Sequence, residues 1–110
     1  MHKLLTKPII RKLKLNWDKD YEHCRPVAKL FGGGACTWLV MAMDEDDDTL
    51  LALCDLGMGS PEMGYVSLKE LQSLKFPPFG LPVERDIYWE ASQSMKKYCD
   101  EARQNKRITA

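Results

Sequence analysis

The most informative charged cluster in the chain is Glu84-Arg85-Asp86, with Tyr88 two residues further on. Two carboxylates beside an arginine can do acid–base work or grip an anion, and Pro78 and Pro82 stiffen the loop that presents them. An intramolecular ion pair that pins this loop to a neighbouring sheet uses the same residues and is the plainer reading. No histidine or activated nucleophile accompanies the cluster in sequence, so no catalytic residue is assigned. The candidate binding set is Glu84, Arg85, Asp86, Tyr88, Trp38 and Tyr65. If the triplet lines a pocket with Trp38 or Tyr65, a small ligand or a reaction becomes the better reading.

Four other groupings have chemical potential. Asp44 to Asp48 are five consecutive acids, hard oxygen ligands suited to a divalent cation, but they lack the alternate spacing, glycine and distal glutamate of a calcium loop. An acidic hairpin tip accounts for them. His23 adjoins Cys24, and His2 is the only other histidine, too few ligands for a tetrahedral zinc site, so no metal and no cofactor is expected. Gly32 to Gly34 is followed by no Gly-Lys-Ser/Thr and no helix, which makes it a turn rather than a phosphate loop. Arg11, Lys12 and Lys14 on a first helix and Lys96, Lys97 and Arg103 on a last one are of the right type to contact phosphates, though solvated helix faces carry the same residues.

Such side chains need a scaffold, and 110 residues fit one modest core better than two. Apolar residues at 45% and charged residues at 29% are ordinary globular proportions, which argues against disorder. No apolar stretch is long enough to cross a bilayer, and the first residues lack the apolar core of a secretory signal, so a cytoplasmic location without membrane contact is expected. Cys24, Cys36, Cys54 and Cys99 lie far apart with no CxxC pair and read as reduced, buried thiols. The net charge of zero hides an acidic middle: residues 26–66 hold one Lys/Arg against seven Asp/Glu, between basic ends. Such a distribution can steer a partner of either sign.

The elements follow from periodicity. Thr6 before Lys7-Pro8 reads as a helix cap, and Ile9, Leu13 and Trp17 recur at four-residue steps. From Pro26, PVAKLF predicts a short strand, and CTWLVMAM (Cys36 to Met43) and TLLALCDL (Thr49 to Leu56) predict two buried strands. Five acids would sweep round a continuous helix and put carboxylates on its buried face, so an acidic turn between the two strands is required. Tyr65-Val66 is a short strand. Ser67-Leu68-Lys69-Glu70 is a capping box opening a second helix, with Val66 and Leu71 at its staple positions. IYWE (Ile87 to Glu90) alternates like an edge strand. Ser94 caps a last helix whose apolar stripe is Met95, Tyr98, Cys99 and Ala102, and the tail after Gln104 should fray.

Gly64-Tyr65-Val66-Ser67-Leu68-Lys69-Glu70-Leu71 and Gly80-Leu81-Pro82-Val83-Glu84-Arg85-Asp86-Ile87-Tyr88-Trp89, with the LLT-x-P start and the acidic hairpin, carry a resemblance. From about Leu4 to Trp89 the chain is similar to a bacterial family known as a domain of unknown function, number twenty-nine fifty-eight. Its members are small proteins of plasmids, integrative elements and some phages. The glycine loop and the basic terminal helix depart from that pattern. The resemblance implies a genetic setting and no reaction.

The expected architecture is α+β: one domain over residues 4–104 with a frayed tail at 105–110, built on a four- to five-stranded antiparallel sheet flanked by three helices. The expected role is that of a non-enzymatic accessory protein that binds a host or element protein in defence, antirestriction or regulation. A nucleic-acid-binding regulator using the basic terminal helices is the alternative. A small metal-dependent hydrolase or nuclease using Glu84 and Asp86 is the third reading. Partner identity and oligomeric state are not encoded in any motif.

Overall fold

The computed structural model describes residues 4–110, so His2 lies outside the described residues. Its elements are α1 (Lys7–Leu15), β1 (Ala28–Gly32), β2 (Cys36–Met43), β3 (Thr49–Asp55), β4 (Glu62–Ser67), α2 (Leu68–Ser73), β5 (Lys75–Phe76), β6 (Leu81–Pro82), β7 (Glu84–Arg85) and α3 (Met95–Asn105). The chain reverses at the five acids as the charge argument requires, and β2 and β3 pair antiparallel from Thr37 opposite Asp55 to Met43 opposite Leu50. The sheet is five-stranded and antiparallel, in the order β4-β3-β2-β1-β7, and β5 and β6 form a separate two-stranded ribbon.

Apolar residues on both sides of β2 and β3 demand cover on both faces, and the helices divide to supply it. Trp38, Val40, Met43, Leu50 and Ala52 pack with Leu13 of α1 and with Leu68 and Leu71 of α2. Leu39, Met41, Ala42 and Leu53 pack on the other face with Met95, Tyr98, Cys99 and Ala102 of α3. The change of phase within β2 comes from a bulge: Val40 faces Ala52 and Ala42 faces Leu51, leaving Met41 as the extra residue. A bulged residue has a carbonyl outside the ladder. Here Asn16, the buried C-cap of α1, donates from Nδ2 to Met41 O at 3.0 Å.

Thr6, Ser67 and Ser94 cap their helices as their types predict, each accepting from the amide three residues on. The capping box at α2 differs in its second half. The side chain that reaches the helix start is not Glu70 but Asp48, at the far end of the acidic turn: its carboxylate accepts from the Lys69 amide at 2.8 Å and the Ser67 hydroxyl at 2.7 Å. The acidic turn therefore anchors α2 to the β2–β3 hairpin.

Three expectations from the sequence are corrected. The strand at Tyr65-Val66 is longer, running from Glu62 to Ser67 along β3 from Cys54 to Thr49. Ile87 to Glu90 is not a strand, because Asp86 Oδ1 accepts from the Tyr88 amide at 3.0 Å and folds the chain into an Asx turn; Glu84–Arg85 closes the sheet instead. After Gln104, where a frayed tail is expected, the chain makes contacts with the rest of the fold. Lys106 adopts the left-handed conformation that ends α3, and the Ile108 amide then donates at 2.8 Å to Asp55, a buried carboxylate that also accepts from the Gly57 amide.

Candidate functional site

The candidate set is spread over β7 and the turn that follows it, β2 and β4. β7 pairs with β1 so that Arg85 stands opposite Leu30 and Glu84 opposite Phe31. Neighbouring strand residues face opposite ways, so Arg85 turns to the side of α1 and α2 and Glu84 to the side of α3. The Asp86 amide donates to Lys29 O at 2.9 Å, and its carboxylate is occupied by the turn described above. The expected pinning ion pair is replaced by these backbone bonds, since Arg85 forms no ion pair among the described residues. Trp38 is 3% exposed, in the core. Tyr65, 69% exposed, lies on the α3 face with its ring 5.9 Å from that of Trp17, and Tyr88 is 91% exposed on the turn. Neither Trp38 nor Tyr65 therefore lines a pocket with the triplet.

What Arg85 does line is a cleft of about 720 Å³, a volume typical of ligand sites, which span roughly 300–1,000 Å³. Its walls come from three separate stretches: Leu4, Leu5 and Ile10 at the start of α1; Leu68, Gln72 and Lys75 on and after α2; and Pro82, Val83, Glu84 and Ile87 around β7. The lining is mainly aliphatic. Arg85 Nε is buried and has no hydrogen-bond acceptor among the described residues. Most of these lining residues escape a reading for chemical side chains. The available signal was the pairing of Leu5 and Ile10, which occupy the staple positions on either side of the Thr6 cap.

The basic residues do not form one surface. Arg11, Lys12 and Lys14 belong to α1, while Lys96, Lys97 and Arg103 belong to α3 across the sheet. Lys14 is paired with Asp47, and Lys96 with Asp100 at 2.8 Å. A smaller depression of about 400 Å³ gathers Lys12 with Lys19, His23 and Arg25 beside Trp89 and Glu90.

The acidic hairpin is engaged internally. Asp46 accepts from the Thr49 hydroxyl and from the amides of Asp48 and Thr49, which holds its carboxyl below the usual range, and Lys69 and Ser67 do the same to Asp48. Among the described residues, the metal-type side chains that approach one another are Asp20, Glu22 and His23, all exposed, and Cys24 is turned inward away from them. Burial pushes the Cys54 and Cys99 thiols up to about 11, the opposite of what a nucleophilic cysteine requires.

Fold and cleft together define an α+β protein with helices on both faces of an antiparallel sheet and an arginine-bearing aliphatic cleft at one sheet edge. The chain belongs to the family described as protein of unknown function (DUF2958), whose model matches residues 4–109. That match continues past Trp89 through α3, so the terminal helix falls within the family's extent. No curated protein and no solved structure matches the chain.

Proposed function

We propose that the chain is a non-enzymatic, cytoplasmic accessory protein of a plasmid, integrative element or phage, acting by binding a host or element protein in defence, antirestriction or regulation. One observation carries the binding reading. The chain on either side of β7 bears Phe79, Leu81, Ile87 and Tyr88 as exposed large side chains, and Ile87 also lines the aliphatic cleft. Large apolar side chains exposed along one stretch of chain beside a cleft favour an interaction site, because exposing them to water is costly unless a partner covers them. The mobile-element setting is supplied by the family resemblance.

The test is affinity capture from host lysate, followed by reconstitution of any captured protein with the purified chain. The reading requires saturable binding that Ile87→Ser with Tyr88→Ser weakens at least tenfold. If no protein binds saturably, or if the double variant binds unchanged, the reading fails. A nucleic-acid-binding regulator is the second reading, favoured by the cluster of Lys12, Lys19, His23 and Arg25 beside Trp89. It predicts oligonucleotide affinity that falls steeply with salt, as counterion release demands.

A further inference from the structure

We propose that the cleft at β7 receives a short aliphatic segment of a partner protein carrying one carboxylate, and that this carboxylate pairs with Arg85. The inference rests on the protein-binding reading and names the chemistry of what is bound. It starts from an imbalance. An arginine is always charged, and a buried Nε without an acceptor is a strongly unfavourable arrangement in isolation. The carboxylates beside it in sequence do not relieve it: Glu84 shares the cleft wall but forms no ion pair with it among the described residues, and the Asp86 carboxylate accepts from the Tyr88 amide.

The walls limit what relieves it. Leu4, Leu5, Ile10, Leu68 and Val83 favour an aliphatic body, and Lys75 adds a second positive charge that leaves the lining net positive after Glu84. A free phosphate or a nucleic-acid backbone brings no aliphatic body to cover these walls, so its desolvation is offset by the charges alone. A carboxylate flanked by Leu or Ile satisfies both halves of the site, and in apolar surroundings its bond to the guanidinium is stronger than in water. The cleft is assembled from chain segments that the sheet edge brings together, so the carboxylate site exists only in the folded chain.

The experiment uses the full chain labelled with ¹⁵N and ¹³C and acetyl-Leu-Glu-Leu-Leu amide as probe, with the Gln-for-Glu peptide as its control. The Arg85 Nε–Hε resonance and the methyl signals of Leu5, Ile10 and Val83 report on the cleft. The expected result is that the Glu peptide moves these signals together and binds at least ~10-fold more tightly than the Gln peptide, since charge-assisted hydrogen bonds are about twice as strong as neutral ones. Arg85→Met should erase that preference and Arg85→Lys should restore part of it, with circular dichroism confirming that both variants fold. Equal binding of the two peptides overturns the proposal, as does a response confined to other residues. Displacement by a single-stranded oligonucleotide overturns it too, and so does a dimer in sedimentation that occupies the cleft. A captured partner indifferent to Arg85→Met sinks this inference and leaves the protein-binding reading standing. A cleft that binds the Glu peptide in a chain with no protein partner does the reverse.

Discussion

The Asn16 side chain, at the C-terminal cap of α1, donates to the backbone carbonyl of Met41, the extra residue of the β2 bulge, at 3.0 Å. This buried bond joins a helix end to a strand irregularity 25 residues away in sequence. Replacing Asn16 with Ala leaves the Met41 carbonyl without its donor, and a buried polar group left unsatisfied costs about 1–3 kcal/mol. Urea unfolding of Asn16→Ala should show a loss in that range with an unchanged denaturant slope. A loss below ~0.5 kcal/mol, the scatter of ordinary surface substitutions, would mean that the bulge is held by something else.

Asp48 makes the acidic turn sensitive to acid. Its carboxyl is held below the usual range, first by the Lys69 amide and then by the Ser67 hydroxyl, and that of Asp46 first by the Thr49 hydroxyl. Groups that bind protons less readily when folded add stability above the ordinary carboxylate pKa of about 3.9, and that stability is lost as the pH falls through their depressed folded values. Asp48→Asn should therefore be less stable than the parent chain at about pH 7, with the gap closing on acidification below about pH 4. Thermal melts across that range measure it. A gap that stays constant with pH would show that Asp48 contributes through shape rather than charge.

The glycine loop has a packing role as well as a turn role. A Cβ at Gly32 would collide with the Phe76 ring, and one at Gly33, where φ is +62°, would fall 2.6 Å from Phe76 Cδ1. The β1–β2 hairpin thus offers bare backbone on which β5 lays its aromatic side chain. Gly32→Ala forces the ring to shift, and overpacking of this kind costs about 1–3 kcal/mol. In a Phe76→Ala background most of that cost should vanish, a coupling that a double-mutant cycle reads directly. Equal costs in the two backgrounds would place the clash elsewhere.

Sequence patterning revealed the elements whose burial is set locally. Cys36 to Met43 is largely apolar on both sides and is a strand at those bounds, because the run contains no Gly, Pro, Asn or Asp to offer the chain another conformation. Ile87 to Glu90 alternates as well, yet the Asp86 side chain competes for the Tyr88 amide and the turn prevails. The partner that closes the sheet is the charged pair Glu84–Arg85, which has no strand pattern and pairs only because β1 offers an edge. The cleft was illegible for a related reason: its walls come from residues 4–10, 68–75 and 82–87, which no spacing rule connects. Arg85 was found by its chemistry. The aliphatic surroundings that give that chemistry its force are a product of the tertiary fold.

If Arg85 serves a partner rather than the fold, removing its charge should not harm the free protein. β7 is held to β1 through backbone groups, so Arg85→Met keeps the pairing and most of the side-chain volume. It deletes a buried donor that has no acceptor among the described residues. Unfolding free energy should stay level or rise by up to about 1 kcal/mol, since exchanging an uncompensated buried polar group for an apolar one of similar size is neutral to stabilising. An arginine that held the structure together through a buried ion pair would instead lose about 3–5 kcal/mol on substitution. Urea denaturation of Arg85→Met beside the parent chain separates the two cases. A large loss would make Arg85 a structural residue and remove the reason for its isolation in the cleft.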